Sequence, residues 1–291
     1  MMKCHVRVAG VVRRSSYQIG VLMRFKTLLL GAAALALANT AEARPISVTL
    51  TNTSPTGGVG LSPLWVGFHD GTFDTYNVGA AANAGVKQTA EDGNNTAITG
   101  LFSGAVQGTL AGGPAFAGAV RTGVFDVNTT STGRYFSYLS MVVVSNDFFV
   151  GNANPTAIDL AALQPGQTIS FLIGVPNISG GQNIVYDAGT EVNDFLFSLA
   201  NGAFGIPGGQ TGGGQGNAQG GVITAVTGNP FAGFLNTPAG GVSGNLNFNN
   251  SALYTSVGRI DITAVPEPLS GMLLATGVGL TALARKRRRT A

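Results

Sequence analysis

Ten consecutive residues, Tyr135 to Val144 (YFSYLSMVVV), carry no charge and are dense in the aromatic and β-branched types that strands favour. A strand of that composition has no face to give to water, so it belongs in the centre of a sheet covered on both sides. The rest of the chain must then supply covers. Ile46-Ser47-Val48-Thr49-Leu50-Thr51-Asn52 alternates apolar and hydroxyl residues with period two, as does Arg259-Ile260-Asp261-Ile262-Thr263, and both read as half-buried strands. Pro63 to Asp70 and Thr168 to Val175 read as two more, with a further late strand near Leu246 to Phe248. Gly is abundant (44 of 291 residues) and charge is sparse (10%), which starves helices of straight-chain formers and solvated faces. The expected fold is all-β: an antiparallel two-sheet β-sandwich of about eight strands.

Both ends of the chain read as addresses. Residues 1–43 form a signal region, with a start expected at Met23, then Arg24 and Lys26, an apolar run from Leu28 to Leu37, and cleavage after Ala43. At the other end Val265-Pro266-Glu267-Pro268 precedes the uncharged segment 269–284 and the basic cluster Arg285 to Arg289. That segment is just long enough to cross a bilayer, and the positive-inside rule keeps the basic cluster cytoplasmic. The domain between is 44–264. It holds five basic residues (Arg44, Lys87, Arg121, Arg134, Arg259) against eleven acids, a net charge of −6, although the whole chain is formally +3. A nucleic-acid partner is therefore excluded, since phosphate contacts need clustered Lys and Arg on the folded surface. Cys4, the only cysteine, lies in the signal region, so no disulfide supports the domain.

Acid density peaks at Val185 to Phe195, where Asp187, Glu191 and Asp194 fall within eight positions. Asp187 and Glu191 flank Ala-Gly-Thr, and a curl at Gly189 lets the two carboxylates converge. Asp147, after the most apolar strand, is the best-placed third. A hard cation such as Ca²⁺ takes six to eight oxygens, so three carboxylates with neighbouring carbonyls make a site. Spacing alone leaves the alternative open, that these are solvated acids on the loops of an acidic protein. Other chemistry has little to draw on. His69 is the domain's one histidine, and a locally hydrogen-bonded strand-end residue is its expected role; multi-His or multi-Cys zinc sites and histidine triads lack their parts. Glu91 and Asp92 are adjacent and read as a solvated turn at Gly93 within a polar loop, Asn83 to Asn95, rather than as the carboxylate pair of a hydrolase. Trp65 and Phe68 read as core rather than as a sugar-stacking face. Asn201 to Gly221 (NGAFGIPGGQTGGGQGNAQGG) reads as a mobile surface loop.

Two resemblances add to this. Pro266-Glu267-Pro268, the apolar segment 269–284 and the arginine cluster resemble, in that order, the PEP-CTERM sorting signal of Gram-negative bacteria. This implies a transient inner-membrane anchor, processing by an exosortase-type enzyme, and association with exopolysaccharide or another biofilm-matrix component. Ser137 to Val150 (SYLSMVVVSNDFFV), Tyr186 to Val192 (YDAGTEV), Thr89 to Asn94 (TAEDGN) and Ser62-Pro63-Leu64-Trp65-Val66 resemble the spondin N-terminal domain over about 45–264. That resemblance implies an eight-stranded extracellular-matrix sandwich that binds Ca²⁺ through Asp147, Asp187 and Glu191. Glu191 stands where animal members often carry Asp, and Asn146 and Phe148 replace a Pro and a Trp. The expectation is a non-enzymatic, exported binding or adhesion module, with a metal-independent matrix component as the alternative and a polysaccharide hydrolase as a minor one.

Overall fold

The structure is a computed structural model, and it describes residues 43–55, 58–143, 145–175, 183–193, 216–228, 230 and 255–266. All of these belong to one compact unit beginning at Ala43. Residues 1–42 of the signal region, the segment 269–284, Glu267, Pro268 and the strand expected near Leu246 lie outside the described residues. Among the described residues no helix is long and apolar enough to cross a membrane.

Among the described residues there are eleven strands and two short helices: β1 (Arg44–Asn52), β2 (Gly60–Leu61), β3 (Trp65–His69), α1 (Ala84–Asp92), α2 (Thr96–Leu101), β4 (Val106–Thr109), β5 (Val120–Val127), β6 (Tyr135–Val143), β7 (Phe148–Gly151), β8 (Thr168–Ile173), β9 (Val185–Asp187), β10 (Thr224–Ala225) and β11 (Gly258–Ala264). Eight of the strands have four or more residues. They form two antiparallel sheets, a smaller one in the order β5-β1-β11-β8 and a larger one in the order β10-β9-β7-β6-β3-β4 with β2 also on β6.

The alternation in β1 and β11 is resolved by their register. Ile46, Val48 and Leu50 face Ala264, Ile262 and Ile260, and all six side chains are buried. Ser47, Thr49 and Thr51 pair on the other, wetter face with Thr263, Asp261 and Arg259. A one-residue slip would put the isoleucines in water, so the pairing is strongly specified. The inward face meets Val66 and Phe68 of β3 and Phe136, Tyr138 and Val142 of β6 in one core.

β6 has eight of its nine residues buried, as its unbroken apolar composition requires. Its second cover is a layer the sequence reading omitted. Trp65, Leu139, Phe149 and Tyr186, on the outer face of the large sheet, pack with Phe73, Tyr76, Val86, Ala90 and Ile98. The last three come from α1 and α2, and α1 occupies most of Asn83 to Asn95, the stretch read as a polar loop. Trp65 and Phe68 are both core, on opposite faces of β3. His69 is fully buried and its Nδ1 accepts the Gly71 N–H (3.1 Å), which leaves Nε2–H to donate to Ser137 Oγ (3.0 Å). Burial holds its pKa below the ordinary value despite nearby Asp70 and Asp74.

Helix α1 forms because Asn83 accepts the Val86 N–H on its side chain (2.9 Å) and because the Gly93 N–H returns to Thr89 O at the other end (2.9 Å). The Asn83 amide also donates to Thr75 O (2.8 Å), fastening the helix start to the preceding loop. Asn83→Ala should cost about 1 kcal/mol of unfolding free energy, read by urea denaturation. An unchanged midpoint would show that packing alone holds the helix.

Candidate functional site

The turn after β6 sets the first acid. Ser145 Oγ donates to Val142 O (2.6 Å) and accepts the Phe148 N–H (3.0 Å), so the chain reverses tightly and β7 starts at once. Asp147 is the residue before β7 rather than the end of β6. The register of β7 on β9 pairs Phe148 with Asp187, which places Asp147 beside the end of β9, and the Ala188 N–H donates to Asp147 O (3.1 Å). Forty residues of sequence separation are thereby closed by one strand pairing.

The Asp-Ala-Gly-Thr-Glu segment then curls over Asp147. Asp187 Oδ1 accepts the Gly189 N–H (2.6 Å), and Gly189 turns in the left-handed region at φ +67°. The next two backbone N–H groups, of Thr190 (2.7 Å) and Glu191 (3.0 Å), both point at Asp147 Oδ2, and Thr190 Oγ1 lies 3.3 Å from the same oxygen. Asp187 Oδ2 accepts from Asn193 Nδ2 (2.7 Å), and Glu191 Oε1 accepts the Gly216 N–H (3.1 Å). A cleft of about 430 Å³ opens beside Asp187 and Asn193, lined also by Phe148, Thr224, Thr227 and Pro230.

The glycine-rich stretch is a structural partner of this curl. Gly221 N–H donates to Gly189 O (2.7 Å), Gln219 N–H to Thr190 O (2.9 Å) and Val192 N–H to Asn217 O (2.8 Å). Residues 216–221, the end of the stretch expected to be a mobile surface loop, thus run at the surface as a ribbon hydrogen-bonded along the acidic motif. Residues 201–215 lie outside the described residues.

Electrostatically the group is under strain. Asp147 is 0% exposed and Glu191 3% exposed. Burial first, then the charge of Asp187, pushes the Asp147 carboxyl up to about 6, against the pull of the Glu191 and Thr190 donors. Burial and then the charges of Glu91 and Asp147 push Glu191 up to about 8. Asp147 Oδ1, Glu191 Oε2 and Asn193 Oδ1 are buried without a hydrogen-bond partner, and among the described residues only Arg44 Nε and Thr75 Oγ1 share that condition. Natural proteins satisfy nearly all such atoms, so three in one loop cluster mark a place built for something else. Among the described residues no three His, Cys, Asp or Glu side chains already surround one point; the carboxylates turn to backbone N–H groups instead. Of the predicted acids, Asp147, Asp187 and Glu191 are brought together, and Asp194 lies outside the described residues.

One member was missed. Glu91, read as a solvated turn residue, sits in the last turn of α1 at 4% exposure, with Lys87 Nζ 3.7 Å from its Oε1. Burial raises its pKa; the Thr190 hydroxyl and Lys87 oppose the rise. The signals were there: Asn83 and Gly93 bracket a helix, and Lys87 and Glu91 stand at its i,i+4 spacing.

No protein-family model matches the chain, and no curated protein matches it. The described residues form a mostly β fold of two antiparallel sheets with an acidic loop cluster at one end of β7 and β9.

Proposed function

We propose that the chain is an exported, spondin-like module of the cell surface or biofilm matrix, whose Asp147, Asp187 and Glu191 bind a divalent hard cation, Ca²⁺. The ion neutralises buried carboxylates and stiffens a binding or adhesion surface; it does no catalysis. The observation that carries this reading is the set of unpartnered buried oxygens, Asp147 Oδ1 and Glu191 Oε2 above all, on carboxyl groups that repel one another. Oxygen donors of this kind suit Ca²⁺ rather than a thiophilic or imidazole-seeking metal. The sorting tail, Pro266-Glu267-Pro268 with 269–284 and the arginine cluster, supports export through an exosortase-type enzyme, with exopolysaccharide or another matrix component as partner. The second reading, a metal-independent structural component of the matrix, is favoured by one observation: both Asp187 oxygens and Asp147 Oδ2 already accept hydrogen bonds.

Calorimetric titration of the chelator-treated full chain decides between them. The expected Kd for Ca²⁺ is roughly 0.1–1 mM, the range of extracellular modules, and Asp187→Ala should weaken it about ten-fold or more. Absence of any heat up to about 10 mM Ca²⁺ would remove the cation and leave the structural reading.

A further inference from the structure

We propose that the open edge of β8 is a self-pairing surface, along which a second copy of this chain lays its own β8 antiparallel and doubles the four-stranded sheet. None of the acidic cluster takes part, and the pairing is independent of the cation reading.

β8 is the last strand of the small sheet, and its register decides which backbone groups it leaves over. In an antiparallel ladder residues alternate between those bonded to the neighbouring strand and those turned away from it. Ile169 and Phe171 pair with Ile262 and Ile260 of β11, and in the same register Ala264 N–H donates to Gln167 O (3.0 Å). The odd-numbered positions therefore bond to β11, and the N–H and C=O groups of Thr168, Ser170 and Leu172 point out of the sheet edge. Natural edges are guarded by charge or proline. The opposite edge has such a guard: on β5, Arg121 Nη1 donates to Val120 O (3.0 Å) and Nη2 to Pro114 O (3.0 Å). β8 (TISFLI) carries neither charge nor proline, and its Leu172 is 39% exposed.

The occupant must also suit the groove beside that edge, about 420 Å³, which the half-buried Ile169 and Phe171 line together with Ala157 and Ile158. Asp159 lines it too, but Arg134 holds that carboxylate in a bidentate pair (3.0 and 2.6 Å), so it brings no net charge. An added strand therefore needs apolar residues at alternate positions and no charge, and β8 itself meets both requirements. Paired antiparallel about Ser170, two copies set Ile169 against Phe171 of the second copy on the groove side, twice over. On the outer side they set Thr168 against Leu172, and every open backbone group of one edge meets an open group of the other. A slip of one residue would set open groups against groups already bonded to β11. Charge points to the same occupant. The domain is net −6, so two copies repel over most of their surface and meet with least repulsion along an uncharged edge.

Site-specific cross-linking of the full chain tests the pairing. In a Cys4→Ser background, Ser170→Cys places two thiols across the two-fold axis with Cα atoms about 5.5 Å apart, within disulfide range. Mild oxidation should then give a covalent dimer on a non-reducing gel. Thr122→Cys, on the exposed face of β5, should stay monomeric. Adding Leu172→Lys, which gives β8 the edge charge it lacks, should cut the Ser170→Cys dimer about ten-fold. Adding Val124→Lys on β5 should leave it unchanged. Both lysines replace exposed side chains, so urea midpoints should stay at the parent value. Association through the apolar ends of the chain would cross-link Thr122→Cys and Ser170→Cys alike and ignore Leu172→Lys. Either of those results, or no cross-link at Ser170→Cys, overturns the proposal.

Discussion

Stripped of divalent cations, the protein should lose stability as the pH rises from 6.5 to about 8, and Ca²⁺ should cancel the loss. The sign follows from linkage. Asp147 goes from 3.8 unfolded to about 6 folded, and Glu191 from 4.5 to about 8, so between those limits the folded chain holds protons that the unfolded chain has released. Their carboxyls are tolerated while protonated, at low pH, and each becomes a cost as the pH climbs through its folded value. For Asp147 alone the shift corresponds to on the order of 3 kcal/mol. His69 works the other way: its folded pKa lies below 6.5, so acidification below that value favours the unfolded chain. Above pH 6.5 its contribution is complete, and the remaining slope belongs to the acids, Glu191 foremost. Exposed pairs such as Arg134 with Asp159 add little anywhere in this window. Ca²⁺ competes with protons for the same oxygens, so its stabilisation should be largest at pH 8, about 2.7 kcal/mol at a hundred-fold excess over Kd. Thermal unfolding in chelator and in Ca²⁺ at the two ends of the window reads all of this. A chelator curve that is flat or rises, or one that Glu191→Gln does not flatten, would mean that the carboxylates are already compensated.

The parts of the fold that were legible are those where one periodicity decides the outcome. Period two in Ile46–Asn52 and in Arg259–Thr263 fixed which face each strand buries, and the register of β1 on β11 follows it residue by residue. The unbroken apolar run of β6 announced a two-sided strand without saying what lay on the second side. Helix α1 was hidden because its apolar stripe is short and because Gly85 stands in it. That glycine is there for contact: a Cβ on it would come within 2.9 Å of the Ile98 backbone in α2. A residue chosen for the approach of two helices thus weakened the local signal for one of them. The site divides the same way. Asp187 and Glu191 were visible as a cluster, and Asp147 as the acid after the central strand. Glu91 depended on a helix not yet recognised, and the ribbon 216–221 depended on backbone pairing, which leaves no trace in glycine-rich sequence because the bonds use no side chain.

That ribbon gives the curl its sharpest dependence on a single residue. Gly189→Ala should cost about 3–5 kcal/mol and abolish measurable Ca²⁺ binding, whereas Gly113→Ala should cost about 1 kcal/mol and leave binding unchanged. The two glycines share a backbone conformation, with φ of +67° and +68°, so the left-handed penalty for alanine is common to both. They differ in what a methyl group would meet. At Gly113 there is nothing within 4 Å; at Gly189 the Cβ would stand 2.6 Å from Val222 O and 2.8 Å from Val222 N. Those atoms are backbone and have no rotamer to escape into. Relief requires the 216–222 ribbon to lift, which breaks the Gly221–Gly189, Gln219–Thr190 and Val192–Asn217 hydrogen bonds and removes the Gly216 donor from Glu191. Each lost bond costs about 1 kcal/mol, and the freed Glu191 no longer faces Asp147. Urea midpoints and calcium titrations of the two variants separate the contributions, and equal losses in both would show that the ribbon neither braces the curl nor shapes the cation centre.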